Sequence, residues 1–333
     1  VTLSRPSRPL TRRELLSLAG SEAEPGHWLR VFRRAMACRF EVTLGQEDAR
    51  HVPAAREALD EVERVERMLT VFSEASEVAR VNREAAQRPV PVSEGLFALL
   101  ERCRELHAAT GGAFDPTATP LSRCWGFLER RPALPAPAAI AAALTAVGFE
   151  KLELDGEARS VRYRRPGLSL NFGSIGKGYA LDRAAELLRQ RGVGRALLSG
   201  GHSSVLALGA EPFPVDLRSP RLPGVLARLR LGGAALGTSG AGEQFFEAEG
   251  RRYGHLIDPR TGWPAQGVLS ASVATASAAD ADALSTAFLV GGAELAARCC
   301  AERPGTLALL VPEAEPDRPA RFGACPGAEL QAG

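Results

Sequence analysis

Apolar and polar positions alternate through residues 28–45, "WLRVFRRAMACRFEVTLG", which predicts strands. The period then lengthens. Residues 52–70 and 92–110 carry helical spacing, and in the second Leu96, Leu99, Leu100 and Cys103 mark one apolar face. The stretch "RRPALPAPAAIAAALTAVGF" reads as a Pro/Ala linker running into a small helix, with short strands after it around 150–170. In "NFGSIGKGYALDRAAELLRQRG", residues 171–192, a glycine-rich turn feeds a helix. Its stripe is Leu181, Ala184, Ala185 and Leu188, and Gly192 is its stop. Further strands are predicted at 195–199, 203–208, 226–231, 243–248, 270–276 and 306–311, and one more helix opens at "AADADALSTAFLVGG", residues 278–292. Helices and strands mix without a strict βαβ rhythm, so the pattern predicts an α+β fold, a mixed sheet flanked by helices. Residues 1–27 read as a flexible arm and 28–311 as a single domain. The Pro-, Gly- and charge-rich residues 312–333 read as a loose or weakly paired tail.

Composition adds mainly exclusions. With 333 residues, 45% hydrophobic and 24% charged, the chain has ample material for a core. A net charge of +2 gives no electrostatic case for nucleic acid or an acidic membrane surface. No apolar run reaches the roughly eighteen residues of a membrane span; the longest candidate, "LSTAFLVGGAELAARCC", is broken by Glu294 and Arg298. The six cysteines show no CxxC spacing and no paired histidines, which argues against zinc. Residues 10–20, "LTRRELLSLAG", resemble a twin-arginine export signature, but "SEAEPGHW" follows at once and leaves the apolar stretch too short for a working signal. A basic arm with a short helix explains the same residues.

Four stretches carry chemistry. In the helix opening at 278, Asp282 and Thr286 stand four apart and share one face. That is a polar stripe on an amphipathic helix, or a carboxylate and a hydroxyl suited to a hard cation such as magnesium; Asp280 reads as the helix cap. "GSIGKG", Gly173–Gly178, can bring backbone amides and Lys177 to phosphate oxygens at a helix start, although it lacks the Walker A spacing. "GGAFDPTATPLSRCWGF" fixes Phe114 and Asp115 in a rigid turn, a place for a planar ring or simply an Asx turn. "FFEAEGRRYGHLIDPRTG" reads as a hairpin turning near Gly250, with His255 at the end of its second strand and "DPRTG" as a turn. A histidine so placed can reach into a cleft as a base. Ser239 in "GTSGA" does not complete a GxSxG elbow, so a serine hydrolase is not supported.

Taken in order, "AMACRF", "LTVFSEASEVARVN", "GAFDPTATPL…WGF", "GSIGKGYALD", "TSG…FF…YGHLIDPRTG" and "ADALSTA" resemble the ApbE-type flavin transferases, the FAD:protein FMN transferases, from about residue 30 to 311. The resemblance implies an ApbE-like fold with an FAD and magnesium cleft between two closely packed halves. It implies cleavage of FAD, transfer of FMN to a threonine hydroxyl of an acceptor protein with an FMN-binding domain and a Ser/Thr flavinylation motif, and release of AMP. The metal ligands carried over are Ser174, Asp282, Ser285 and Thr286, and the FAD positions are Met36, Phe72, Ala113, Phe114, Asp115, Asn171, Lys177 and Leu256. His255 carries over as the candidate base. The chain departs from the family's pattern at Asn171, where aspartate is usual, at Phe72, where tyrosine is common, and at "MACRF", which replaces Met-Gly-Thr. "LSGGHSSVLALG" varies the family's Gly-Gly segment. Two alternatives stay open: FAD pyrophosphatase activity giving FMN and AMP, and FAD binding without turnover. The family is as a rule periplasmic or membrane-associated, yet no complete signal peptide or lipobox is legible, so the compartment stays open to the cytoplasm.

Overall fold

The computed structural model describes residues 27–221, 224–242 and 244–331. The arm and its twin-arginine-like stretch therefore lie outside the described residues. A hairpin of β1 (Trp28–Ala35) and β2 (Cys38–Gly45) comes first. It is closed by Met36 and Ala37, both at positive φ. Helix α1 (Val52–Leu69) follows, then α2 (Glu77–Glu84), β3 (Val90–Pro91) and α3 (Glu94–Ala109). Short helices α4 (Thr119–Cys124) and α5 (Pro137–Leu144) lead to β4 (Leu152–Asp155) and β5 (Ser160–Tyr163). Helix α6 (Gly176–Gln190) leads into β6 (Ala196–Gly200), β7 (Ser204–Leu208), β8 (Phe213–Arg218), β9 (Val225–Leu231) and β10 (Ala235–Gly240). A second hairpin, β11 (Phe245–Ala248) and β12 (Arg251–Gly254), precedes β13 (Val268–Thr275) and the long helix α7 (Ala278–Glu302). The chain closes with β14 (Leu307–Pro312), β15 (Ala320–Gly323) and β16 (Ala328–Gln331).

The strands gather chiefly into an eight-stranded sheet of order β1-β2-β6-β7-β10-β13-β14-β15. Side chains alternate across a strand, and β14 shows what this does here. Ala308 and Leu310 enter the main core, formed with the helices, whereas Leu307 and Leu309 enter a second core under the small sheet β16-β9-β8. The sheet is thus covered on both faces, which is why β14 is apolar at nearly every position. A third cluster of Leu121, Trp125, Ile140, Val147, Tyr253 and Ile257 ties the β11–β12 hairpin to α4 and α5. The mixed helix-and-sheet architecture is the one expected.

Helix α7 has the length and mean hydropathy of a membrane span, but 56% of that window is buried inside the protein. It is the central core helix, packed on β10, β13 and α6, and it kinks at Gly292 with φ 72°. Its cap is Ser277, not Asp280: the Ser277 hydroxyl accepts from the Asp280 N–H at 3.2 Å. Asp280 instead takes a guanidinium pair from Arg102 (Nε to Oδ1, 2.7 Å) and a contact from Arg303. Of the two readings of the residues after Pro312, loose or weakly paired, the structure has the paired one. β15 extends the large sheet beside β14, and β16 pairs with β9.

Candidate active site

The first turns of α7 deliver Asp282 to a buried position and Thr286 to a half-buried one. Asp282 is 6% exposed. Its Oδ1 accepts from the Ser204 hydroxyl on β7 at 2.7 Å, and its Oδ2 from the Gly178 N–H in the first turn of α6, also at 2.7 Å. One helix turn on, the Ser285 and Thr286 hydroxyls both lie against the Asp282 carbonyl, at 2.9 and 3.3 Å. The Ser239 hydroxyl on β10 lies 2.9 Å from Ser285 Oγ and 3.1 Å from Thr286 Oγ1. Four elements, α6, β7, β10 and α7, thus meet at the first turns of α7.

Burial pushes the Asp282 carboxyl up to about 7, against the opposing pull of Lys177, Ser204 and the Gly178 N–H. Lys177 stands beside it in α6 and hydrogen-bonds the Ser203 hydroxyl. A buried carboxylate bonded to the Ser204 hydroxyl, with the Ser285 and Thr286 hydroxyls one turn along the same helix, suits a hard cation, since magnesium and calcium take carboxylate and neutral oxygens. Such a charge would offset the burial cost that now raises the Asp282 proton affinity. The residues therefore fit a magnesium ion, with Asp282 as the anionic ligand and Thr286 and Ser285 as neutral oxygens. Among the described residues no group of three or more His, Cys, Asp or Glu is gathered for a metal. Ser174 sits two residues ahead of α6, and no hydrogen bond among the described residues joins its hydroxyl to the other three.

The glycine turn spends its amides internally. Gly176 N–H donates to Phe172 O and Gly178 N–H to Asp282, so the helix start is already occupied at these two positions. Asn171 closes the turn from the front, its Oδ1 accepting from the Gly173 N–H at 2.8 Å. Its own N–H donates to Pro116 O at 2.8 Å, which links the turn to the Asp115 loop. There Asp115 Oδ1 accepts from the Thr117 N–H at 2.8 Å and from its hydroxyl at 2.6 Å, while Oδ2 lies 3.3 Å from His107 Nε2. Asp115 is thus an Asx turn with a histidine partner, and Ala113 and Phe114 beside it are each 1% exposed within the main core.

The remaining expected FAD positions lie on other elements. Met36 lies in the tight turn of the first hairpin, its N–H donating to Glu66 Oε1 of α1 at 2.7 Å. Next to it Cys38 is close enough to feel Lys177 and Asp282, and burial raises its thiol. Phe72 is 82% exposed, a bare aromatic face just beyond α1. His255 follows β12, with its Nδ1 3.2 Å from Gln244 O and its ring edge-on to Phe127. A carbonyl only accepts, so the neutral tautomer that makes this contact as a hydrogen bond has its proton on Nδ1. Leu256 is half-buried, and its carbonyl accepts from the Ala265 N–H at 2.8 Å. Asp258 forms the expected turn, accepting from the Arg260 N–H and guanidinium.

Three residues of the cluster were not singled out as ligands or partners from the chain: Ser204, Ser239 and the Gly178 amide. No local pattern marks these contacts, because each residue meets Asp282 or Thr286 only through the packing of α6, β7 and β10 on α7.

A mixed sheet holds this acid–alcohol helix against a glycine–lysine turn, and comparison with known proteins gives the class to which the fold belongs. The model of the ApbE family matches residues 36–311. An FAD:protein FMN transferase of Treponema pallidum is 32% identical over 296 residues, covering 82% of this chain and 81% of that protein. One from Salmonella typhimurium is 33% identical over 239 residues, covering 69% and 68%. The crystal structure of the ApbE protein from Thermotoga maritima superposes with a TM-score of 0.81 at 27% identity, covering 89% of this chain and 97% of that one. Apo flavinyl transferase ApbE from Pseudomonas stutzeri gives 0.76 at 27% identity, covering 90% and 95%. The chain belongs to the ApbE family.

Proposed function

We propose that this chain transfers FMN from FAD to a threonine hydroxyl of an acceptor protein and releases AMP, with magnesium held at Asp282, Thr286 and Ser285. The observation that carries this reading is the buried Asp282 carboxylate, its pKa raised to about 7, on the same helix turn as the Ser285 and Thr286 hydroxyls, which donate to the Asp282 backbone carbonyl and meet Ser239, with Lys177 near the carboxylate. The similar proteins named FAD:protein FMN transferase support the reaction class. When bound, the cation would polarise the FAD pyrophosphate and offset its negative charge. Lys177 adds a second positive charge for the phosphates, held toward the pocket through Ser203.

The acceptor hydroxyl oxygen attacks the FMN phosphorus, a new P–O bond forms, and the bridging P–O bond to AMP breaks. His255 takes the hydroxyl proton at Nε2, help worth about 100- to 10,000-fold for so weak an acid. Phe72 offers an exposed ring on which a planar group can lie.

The test is to incubate the chain with FAD and Mg²⁺, with and without an FMN-binding acceptor domain, and to read fluorescence on a denaturing gel and AMP in solution. Fluorescent acceptor together with AMP is expected. His255→Ala should lose labelling by at least 100-fold while flavin binding, read by fluorescence quenching, persists. AMP without labelled acceptor would replace transfer by hydrolysis. Intact FAD in both tubes would leave binding alone.

A further inference from the structure

The two helices that build the pocket are joined by carboxylates pointing in opposite directions. Asp282 on α7 accepts the Gly178 N–H in the first turn of α6. Helix α6 has no side-chain cap from its own flanking residue Ile175, so this bond satisfies an amide that the helix start leaves open. In return, Asp182, further along α6, accepts from the start of α7. The Ser277 hydroxyl and the Ala278 N–H reach it at 2.8 Å, and the Ala279 N–H at 2.9 Å. A negative charge at that end also suits the helix dipole. Where the helices cross there is no slack, because a Cβ on Gly178 would lie 2.0 Å from Ala278 O.

The two caps are not equivalent. Asp282 has a second task if, as the proposed function holds, it also binds a cation, and a carboxylate shared with a cation holds the Gly178 amide less firmly. Asp182 has its three bonds to the α7 start and faces no such division. We propose that Asp182 is a positioning residue that fixes the crossing of α6 and α7, and so the spacing between Lys177 and the Asp282–Thr286 pair. It touches neither the cation nor FAD. Its carboxylate sets where the metal-binding oxygens stand. This inference rests on the cation site of the proposed function.

The test uses Mn²⁺ as a spectroscopically visible probe for the magnesium site, with binding to the full chain followed by electron paramagnetic resonance and folding checked by far-UV circular dichroism. Asp182→Asn replaces an acceptor oxygen with an NH₂ group that opposes the α7 amides, and should weaken Mn²⁺ binding at least about 10-fold, the scale found for groups that orient metal ligands. Ser277→Ala keeps the two backbone bonds and should weaken it less, yet measurably. A folded Asp182→Asn chain that binds Mn²⁺ as wild type does overturns the proposal. If Asp182→Asn does not fold, an unchanged affinity in Ser277→Ala overturns it. Asp282→Asn serves as the control: if it and wild type bind Mn²⁺ alike, no cation sits here, and the cation site fails together with the role given to Asp182.

Discussion

Asp282 is asked to be buried and ionised at once, and the cost shows in its titration. Its carboxyl rises from 3.8 unfolded to about 7 folded, chiefly through desolvation. The folded state therefore holds this proton more tightly than the unfolded chain does. The stability the neutral form contributes is fully present below about 3.8 and is lost as pH rises through about 7. In metal-free buffer, Asp282→Asn should accordingly gain thermal stability relative to wild type as pH increases from 5 to 8, and Mg²⁺ should restore the wild type at the upper end. Melting curves that stay parallel over that range would remove Asp282 as the titrating group. At this scale the chain was partly legible. The four-residue spacing of Asp282 and Thr286 put them on one face, as the structure has them, whereas the hydroxyls of Ser204 and Ser239 meet them only through tertiary contact. Asn171 is instructive in a different way: its carbonyl oxygen closes the glycine turn, a task that asparagine and aspartate perform equally.

At the scale of elements, α7 is gripped between two glycines. A Cβ on Gly178 of α6 would meet Ala278 O at 2.0 Å, and one on Gly237 of β10 would meet the Ala281 carbonyl carbon at 2.5 Å. Backbone stands on both sides, so neither contact can relax by a side-chain rotation. Gly237→Ala should push α7 off β10, cost about 1–3 kcal/mol as other overpacked cores do, and displace Asp282 with it. Urea unfolding measures the first effect, and a midpoint equal to that of wild type would show that the helix has room. The same close approach explains why β10 escaped prediction. "ALGTSG" is small and polar because a helix backbone lies directly on it, and small residues carry little strand signal. β8 was hidden for another reason. Pro214 argues against a central strand, but β8 is the edge of its three-stranded sheet, where a missing N–H costs no ladder bond. The long helices and the β11–β12 hairpin were legible because their periodicity and turn residues are local.

The molecule as a whole is a large sheet with a core on each face, and the last residues of the chain serve both. β15 lies along β14 at the sheet's end, bringing Phe322 to the main core, while Cys325 and Ala328 are buried in the second core and β16 pairs with β9. Composition left this stretch open as loose or weakly paired because strands of four residues rich in charge and glycine satisfy no long pattern; their pairing is decided by partners far away in sequence. Cutting the chain after Pro312 should therefore do more than trim a terminus. It strips β14 of its neighbour, exposing a long apolar strand as a sheet edge, and it opens the second core at Leu229 and Leu231, which β16 faces across β9. The burial lost with Phe322, Cys325 and Leu330 amounts to roughly 3–5 kcal/mol. The truncated chain should unfold at clearly lower urea and self-associate on concentration, the first read by fluorescence and the second by light scattering. A truncated chain with an unshifted midpoint and no association would mean that β15 and β16 are decoration on a fold already complete at β14. Because β14 also packs against α7, the same cut should loosen the helix that carries Asp282, and Mn²⁺ affinity should fall along with stability.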